Sequence, residues 1–445
     1  MRRNDIMSTW NEYVKYASLN ILGMLGLSCY ILADTYFVAK GLGSDGLAAL
    51  NLAIPVYSLI HGTGLMMAMG GATRFSILKS QKSGRERSQV FSQTVILASG
   101  FALLFVLAGI FGADWITNLL GADKAVYDMC RTYLKVLLLF SPAFLANDLL
   151  LCFVRNDGNP QFAMAAMLGG SFSNIILDYI FIFPFGMGIF GAVFATGLAP
   201  LISIGIQSVF FIQRKNTFHM VKTGIALRKG VQIMAGGAPS LVAELSSGIV
   251  IVIFNTIMLS LKGNTGVAAY GVIANLSLVV ISVFTGIAQG IQPMISRYYG
   301  AGETGRISSV FRYAVATVVV LSVLIYAGMF WKADFVVSLF NSEGKEQLQK
   351  IAVEGLRLYF TAIVFAGFNI VTAIYFTSID RARPGNAVSI LRGFVLIVPL
   401  AFMLSEFFGM TGLWLTFPVT ECLTAVLAGG LYFRSLGNSH NKAEE

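Results

Sequence analysis

The chain has 445 residues, of which 56% are hydrophobic and only 12% charged, with a mean hydropathy of +0.74 and a formal net charge of +9. Soluble domains carry about 25% charged residues, so this composition excludes a soluble globular domain and makes lipid the solvent for most of the surface. The positive charge is spread over short loops and lacks the concentrated basic face with aromatic platforms that nucleic-acid binding needs.

A helix needs about 20 mostly apolar residues to cross the hydrocarbon core, and the chain reads as an all-α polytopic membrane protein with twelve such transmembrane helices. Spans 1 to 6 are expected near 15–39, 47–74, 88–113, 125–154, 161–183 and 188–213. Spans 7 to 12 follow near 231–261, 266–296, 306–332, 350–378, 385–405 and 409–433. The first dozen residues are polar and the first apolar stretch is too long for a signal-peptide core, so it is expected to stay as span 1. The expected organisation is an N-terminal six-helix bundle (1–213), a cytoplasmic linker (214–230), a C-terminal six-helix bundle (231–434) and a cytoplasmic tail (435–445). Cys29, Cys130, Cys152 and Cys422 stand singly, without metal or redox spacing, and read as small core hydrophobes.

Lys and Arg set the orientation. With the N-terminus inside, the inner loops collect Arg2, Arg3, Lys79, Lys82, Arg85, Arg87, Arg155, the basic linker from Arg214 to Lys229, Arg297, Arg306, Arg381, Arg383, Arg434 and Lys442. The opposite loops hold little beyond Lys40, Lys124, Lys262, Lys332 and Lys345. Both termini are therefore expected in the cytoplasm of a bacterium, with the chain in its inner membrane.

The two halves repeat at an offset of about 220 residues. Ala48-Ala49 meets Ala268-Ala269, Gly70 meets Gly290, and Ala113-Asp114 meets Ala333-Asp334. Arg131 and Tyr133 open span 4 as Arg357 and Tyr359 open span 10, and Gly188-x-x-Gly191 matches Gly409-x-x-Gly412. Six crossings per half give both halves one orientation, related by a pseudo-two-fold axis along the membrane normal with a cavity between them. That is an alternating-access architecture.

Acids inside the membrane cost about 2.5–3.5 kcal/mol each even on lenient scales, which makes them functional candidates. Asp34 in span 1, Asp148 in span 4, Asp178 in span 5, Glu244 in span 7 and Glu421 in span 12 qualify. Ser171, Asn174 and Asp178 make one polar stripe at i, i+3 and i+7, Asn20 shares a face with Asp34, and Thr196 can add a hydroxyl. Carboxylates with amide and hydroxyl oxygens can hold Na⁺, and two carboxyls close together out of water can instead carry a proton. The acids lack obvious intramembrane partners, which favours a cationic cargo, with aromatic walls adding cation–π contacts.

Four segments carry a family resemblance: ADTYFVAKGLGSDGLAALN ending span 1, FVRNDGNP after span 4, SNIILDYIFIF in span 5 and GIFGAVFATGLA entering span 6. In order and spacing the chain resembles the multidrug and toxic compound extrusion (MATE) transporters from about residue 10 to 435, with RNDGNP nearest the MepA-type branch of bacterial multidrug exporters. The resemblance implies a V-shaped twelve-helix fold and antiport of cationic amphiphilic compounds against H⁺ or Na⁺, with no cofactor or bound metal other than that ion. It implies a first-half cation site at Asp34, Asn174 and Asp178 with Thr196 beside it. Glu244 resembles a span 7 glutamate used by some relatives, whereas span 10 offers only Asn369 where those relatives carry an aspartate; Glu244 and Asn369 are the candidates for a second-half cation or substrate site. Asp148 and Glu421 are further cavity candidates. Small organic cations and membrane lipid are the expected partners, nucleic acid is not, and the functional unit is expected to be a monomer.

A lipid-linked saccharide flippase is the alternative of the same architecture, and Arg392 in span 11 argues for it by offering a base to a pyrophosphate. An intramembrane enzyme finds no support: His61, His219 and His440 are scattered, and no His-Glu-x-x-His or Gly-x-Ser-x-Gly run occurs. No Walker lysine motif and no recognisable channel filter is present either.

Overall fold

The computed structural model describes residues 3–224, 226–341 and 344–441, with the side chains of 3–6 and 436–441 left aside, so that Arg2 and Lys442 lie outside the described residues. Within them the chain is helical, with no strand. The first half contains α1 (Arg3–Ser80), α2 (Gly84–Phe111), α3 (Ala113–Leu119), α4 (Tyr127–Leu139), α5 (Ser141–Asn156), α6 (Pro160–Ile182) and α7 (Gly188–Ile212). The second contains α8 (Leu227–Gly300), α9 (Thr304–Trp331), α10 (Ala333–Ser338), α11 (Glu346–Tyr359), α12 (Ile363–Ser378), α13 (Ala382–Ile390) and α14 (Ile397–Asn441).

Eight stretches are individually long and apolar enough to cross a membrane. Three of them, α1, α8 and the α13–α14 stretch, turn back at Gly43, Gly263 and Gly409 and so provide two crossings each. The pair α4 and α5, bent by 48°, supplies one more, which gives twelve among the described residues. Gly43 (φ 68°, ψ −158°) and Gly263 (φ 61°, ψ −154°) occupy a backbone region essentially closed to side chains, and this lets two long helices reverse without a loop.

Span 4, expected as one helix over 125–154, breaks at Phe140. Pro142 opens the following helix and has no N–H to continue the ladder. Span 10 breaks 220 residues later, in a 3₁₀ turn at Phe360–Ala362. Left-handed positions repeat as well: Gly43 with Gly263, Lys82 with Gly302, Gly158 with Asp380, and Gly188 with Gly409. Each half also places an ion pair beyond its third span, Arg131 with Asp114 and Arg357 with Asp334 (3.8 Å). The Arg131 guanidinium holds the Asp114 carboxyl below the ordinary carboxylate range. The duplication read from sequence is thus a duplication of backbone conformation.

The linker is held against the first half. Thr217 donates its backbone N–H and hydroxyl to the Asp157 carboxylate at 2.6 and 2.5 Å, and Lys79 completes that cluster. The Val221 N–H donates to Ser92 Oγ at 2.8 Å. Phe218 is buried among Phe75, Phe91, Phe153 and Phe211, with ring centroids 4.6–5.7 Å away.

The halves meet tightly at the end where the termini lie. A Cβ added at Gly237 would fall 1.8 Å from the Met66 carbonyl oxygen, and one at Gly70 equally close to the Ile233 carbonyl oxygen. Gly290 likewise faces Ala17, at 2.9 Å from its Cα. Small residues at such crossings let helix backbones touch. Polar bonds close the same seam: Asn156 Nδ2 donates to Gln292 Oε1 (2.9 Å), Gln292 Nε2 to Thr73 Oγ1 (2.9 Å), and Arg297 Nη2 to Glu12 (2.7 Å). Arg155, counted from sequence as an inner-loop charge, is buried in this seam, where it donates to Gln289 Oε1 (2.8 Å) and to Asn20 Oδ1. The last turn of α5 points it inward, so it ties the halves together and does not face water.

Replacing Gly237 by Leu should wedge the halves apart at this seam. Spin labels at Lys82 and Gly302, one on each half, should then report a longer inter-half distance than in the wild type; an unchanged distance would contradict the seam.

Candidate functional site

In the first half, the stripe on α6 faces the first limb of α1 and the start of α7. The helices approach closely because small residues line the crossing: a Cβ at Gly26 would lie 2.6 Å from Leu168, and one at Gly170 would lie 3.2 Å from the Ala199 carbonyl oxygen. Asn174 and Asp178 are fully buried, and Asp34 and Thr196 nearly so. Oriented as its neighbours require, the Asn174 amide donates from Nδ2 to Asp178 Oδ2 (2.9 Å) and accepts at Oδ1 from the Thr196 N–H (3.2 Å). The Asp34 and Asp178 carboxyls lie against each other, and Oδ1 of each is buried without a hydrogen-bond partner. Two carboxyls in contact require a proton between them or a cation beside them. Tyr133 of α4 lies beside Thr196. Asn20 does not join this group. Fourteen residues along a helix is about 21 Å, so the shared face carries Asn20 down to the seam with Arg155.

A cavity lies between the halves. Its larger lobe, about 280 Å³, runs along α8 to the π-helical turn Leu391–Val395 between α13 and α14. A smaller lobe of about 90 Å³ reaches into the first half. Tyr57, His61, Glu244 and Gln289 border both lobes. His61 Nδ1 stands 3.0 Å from Asp148 Oδ2, and Glu244, from the opposite half, faces the pair across the cavity. A Cβ at Gly64 would strike Asp148 Oδ2 at 2.5 Å, so the bare backbone of α1 there makes room for the carboxylate. Tyr57 stacks on His61 (centroids 5.8 Å apart), meets Phe144 edge-on, and bonds the Tyr30 hydroxyl at 2.8 Å. Sequence reasoning missed His61 because it sought a histidine motif; a lone ionisable residue in an apolar span was itself the signal.

In the second half Asn369, named with Glu244 as a candidate for a second site, turns to a different acid. Asn369 Nδ2 instead donates to Glu421, at 2.7 Å to Oε2 and 2.9 Å to the backbone oxygen. Arg392 grips the same carboxylate, with Nη2 at 2.6 Å and Nε at 3.1 Å from Oε1. The expectation of unpartnered acids therefore fails at two positions. Glu421 is paired with Arg392, and Asp148 lies beside His61, because the folded helices bring together residues 29 and 87 apart in sequence. No group of three or more metal-type ligands occurs among the described residues.

A family model described as MatE matches residues 20–180 and 239–403. The chain is 24% identical over 410 residues to a multidrug export protein MepA of Staphylococcus saprophyticus, covering 92% of this chain and 90% of that protein. It is 25% identical over 413 residues to the multidrug export protein MepA of Staphylococcus aureus strain MRSA252, with the same coverage. Among solved structures, an outward-facing multidrug resistance MATE transporter of the MOP superfamily superposes with a TM-score of 0.90 at 23% identity, over 97% of this chain and 96% of that one. The Vibrio cholerae MATE transporter VcmN gives 0.89 at 21% identity, over 98% and 99%. At these identities the solved structures establish the fold.

Removing one partner of a buried ion pair leaves an uncompensated charge, at a cost of about 3–5 kcal/mol. Glu421→Gln should therefore lower the thermal stability of the purified protein sharply, while the double variant Arg392→Gln/Glu421→Gln should recover most of it. Equal melting of the single variant and the wild type would contradict the pair.

Proposed function

Because the chain belongs to the MatE family, we propose that it is a multidrug efflux transporter that exports cationic amphiphilic organic compounds by alternating access, in exchange for H⁺ or Na⁺. The observation that carries the reading is the physical separation of two charged sites. Asp34 and Asp178 share a protein-enclosed site inside the first half, whereas Glu244 faces the cavity between the halves. An ion site and a cargo site that are distinct but joined through α1 suit an exchanger. The intervening side chains run from Tyr30, one helical turn before Asp34, through its 2.8 Å bond to Tyr57 and on to His61.

The Asn174 amide donates to Asp178 and accepts the Thr196 N–H, which leaves the carboxyl pair itself to take up the coupling ion, H⁺ or Na⁺. Binding of a cation neutralises the carboxyl pair, and loss of that ion restores a charge that the surrounding helices must accommodate by moving. Such a shift works only through differential affinity for the two conformations. At the other site the Glu244 carboxylate meets the cationic end of the cargo, with Tyr57 and Phe144 supplying aromatic faces. Resident membrane lipid completes the surroundings, and one chain encloses both sites, which supports a functional monomer. The flippase alternative is the weaker one, since a pyrophosphate carries several negative charges and the single guanidinium of Arg392, already paired with Glu421, does not balance them. We place the termini in the cytoplasm of a bacterial inner membrane; the seam at that end then makes this conformation closed to the inside.

In proteoliposomes, a pH gradient should drive efflux of a fluorescent organic cation, and Asp34→Asn or Asp178→Asn should abolish it with insertion intact. Efflux driven by a Na⁺ gradient alone would assign the other ion, and normal efflux by both variants would sink the ion site. For orientation, cysteine placed at Lys262 should react with a membrane-impermeant maleimide in whole cells, and cysteine at Lys215 only after lysis; the reverse pattern would invert the topology.

A further inference from the structure

Two acids in the cavity wall stand beside a base, and the bases differ in kind. Arg392 grips Glu421 with a guanidinium, which cannot give up its proton in a protein. His61 stands beside Asp148 with an imidazole, the side chain whose charge ordinarily changes between about pH 5 and 8. The first pair is a fixed fitting, whereas the net charge of the second depends on a proton.

The second pair is built into the fold. Asp148 keeps 4% of its side chain exposed and His61 13%, so the acid is sealed and the base borders the cavity. His61 Nδ1 lies 3.0 Å from Asp148 Oδ2, yet that buried oxygen has no aligned hydrogen-bond partner among the described residues. A buried polar atom left in this way requires an explanation, and one proton on the pair supplies it. Whether that proton sits on the ring or on the carboxyl, the two groups together carry no net charge. Without it, Asp148 is an uncompensated carboxylate among apolar helices. The bare backbone at Gly64 gives the carboxyl its room, and the Tyr57 ring lies 19° from parallel with the imidazole and fixes its plane.

The other half reaches the pair through a second glycine. A Cβ at Gly62 would lie 3.1 Å from Glu244 Cβ, so this acid of α8 is seated against α1 one residue from His61. His61 thus faces Asp148 from α5, Glu244 from α8, and Tyr30 and Tyr57 from its own helix. Cys152 and Arg155 of α5 reach the same lobe but bond each other, and Arg155 is further engaged by Asn20 and Gln289. On that lobe α6 and α7 present neutral side chains only, and on the larger one Arg392 and Glu421 cancel. Two acids therefore share one imidazole while the seam is closed, and one of them belongs to the half that moves away when the seam opens.

We propose that His61 and Asp148 form a second proton-carrying site, distinct from Asp34 and Asp178, that loads from the cavity while the termini end is closed and unloads when the halves part and Glu244 withdraws. The proton arrives from cavity water through the exposed edge of the imidazole. It leaves to the water that enters once the cavity opens the other way, and no other atom is exchanged. The loading and unloading rest on the reading of the chain as an alternating-access exchanger; the site itself rests on the pair and its glycine-lined seat.

The chain has three histidines, so replacing those of the linker and tail, His219→Gln and His440→Gln, leaves His61 alone without touching the pair. In that full-length protein, purified in detergent with isotope-labelled histidine, nuclear magnetic resonance reads one imidazole. Its signal should move from the neutral to the protonated position as the pH falls from about 9 to 5, and should still do so when Asp34→Asn is added. Adding Glu244→Gln should lower the protonated fraction at a given pH, because one of the two acids is then missing. A ring signal fixed over that range would overturn the site, as would a titration that vanishes with Asp34→Asn and so merely follows the carboxyl pair. An unchanged protonated fraction in Glu244→Gln would overturn the unloading step. Titration of His61 in a protein that shows no pH-driven efflux would sink the exchange reading and leave the site standing, and intact efflux with a fixed ring signal would do the reverse.

Discussion

A carboxylate surrounded by helices that are themselves surrounded by lipid must find a proton, a cation or a fixed base, because no water is at hand to solvate it. The five acids singled out within the spans have found different answers, and the answers divide the molecule by role. Glu421 has Arg392 and Asn369. Asp148 has His61. Asp34 and Asp178 have each other, which is an arrangement that cannot be fully ionised without a partner from outside the chain. Glu244 has none and borders the cavity. The first two are partnered within the fold; the last two are the ones to which the proposed function gives the ion and the cargo.

The duplicated backbone makes this division notable. The halves share their reversal glycines, their broken fourth spans and their outer ion pairs, yet the chemistry differs between them. Duplication supplied two bundles able to move against each other about a common axis. Divergence then gave one half an enclosed carboxyl pair and the other an arginine and a glutamate on its cavity wall, so the wall of the second half presents unlike charges. A pocket with opposed polarity orients what enters it, and hydrogen bonds from buried polar groups discriminate more sharply than apolar area does.

Movement needs a seam that can open. The inter-half contact is made of glycine backbones and amide side chains, with Arg155 at its centre. Amide and arginine bonds of this kind can be exchanged for water when the halves part, whereas a broad apolar interlock would not reopen readily. The residues that close the termini end are thus suited to the gate that the proposed alternating access requires, and the cavity begins directly beyond them.

Much of this was legible in the amino-acid order alone. Hydropathy gave the crossings, since lipid imposes length and apolarity on any spanning helix, and the offset of about 220 residues gave the halves. The stripe Ser171, Asn174, Asp178 marked one wall of the buried carboxyl site, because helical periodicity fixes which side chains share a face. Tertiary structure alone decided the partnerships. Asp34 meets Asp178, His61 meets Asp148, and Arg392 meets Glu421 across intervals that no local pattern records. Asn20 and Arg155 likewise changed role, from site companion and loop charge to members of the gate. Local order sets what each helix offers, but a charge buried in a membrane is defined by its neighbour, and the neighbour comes from another helix.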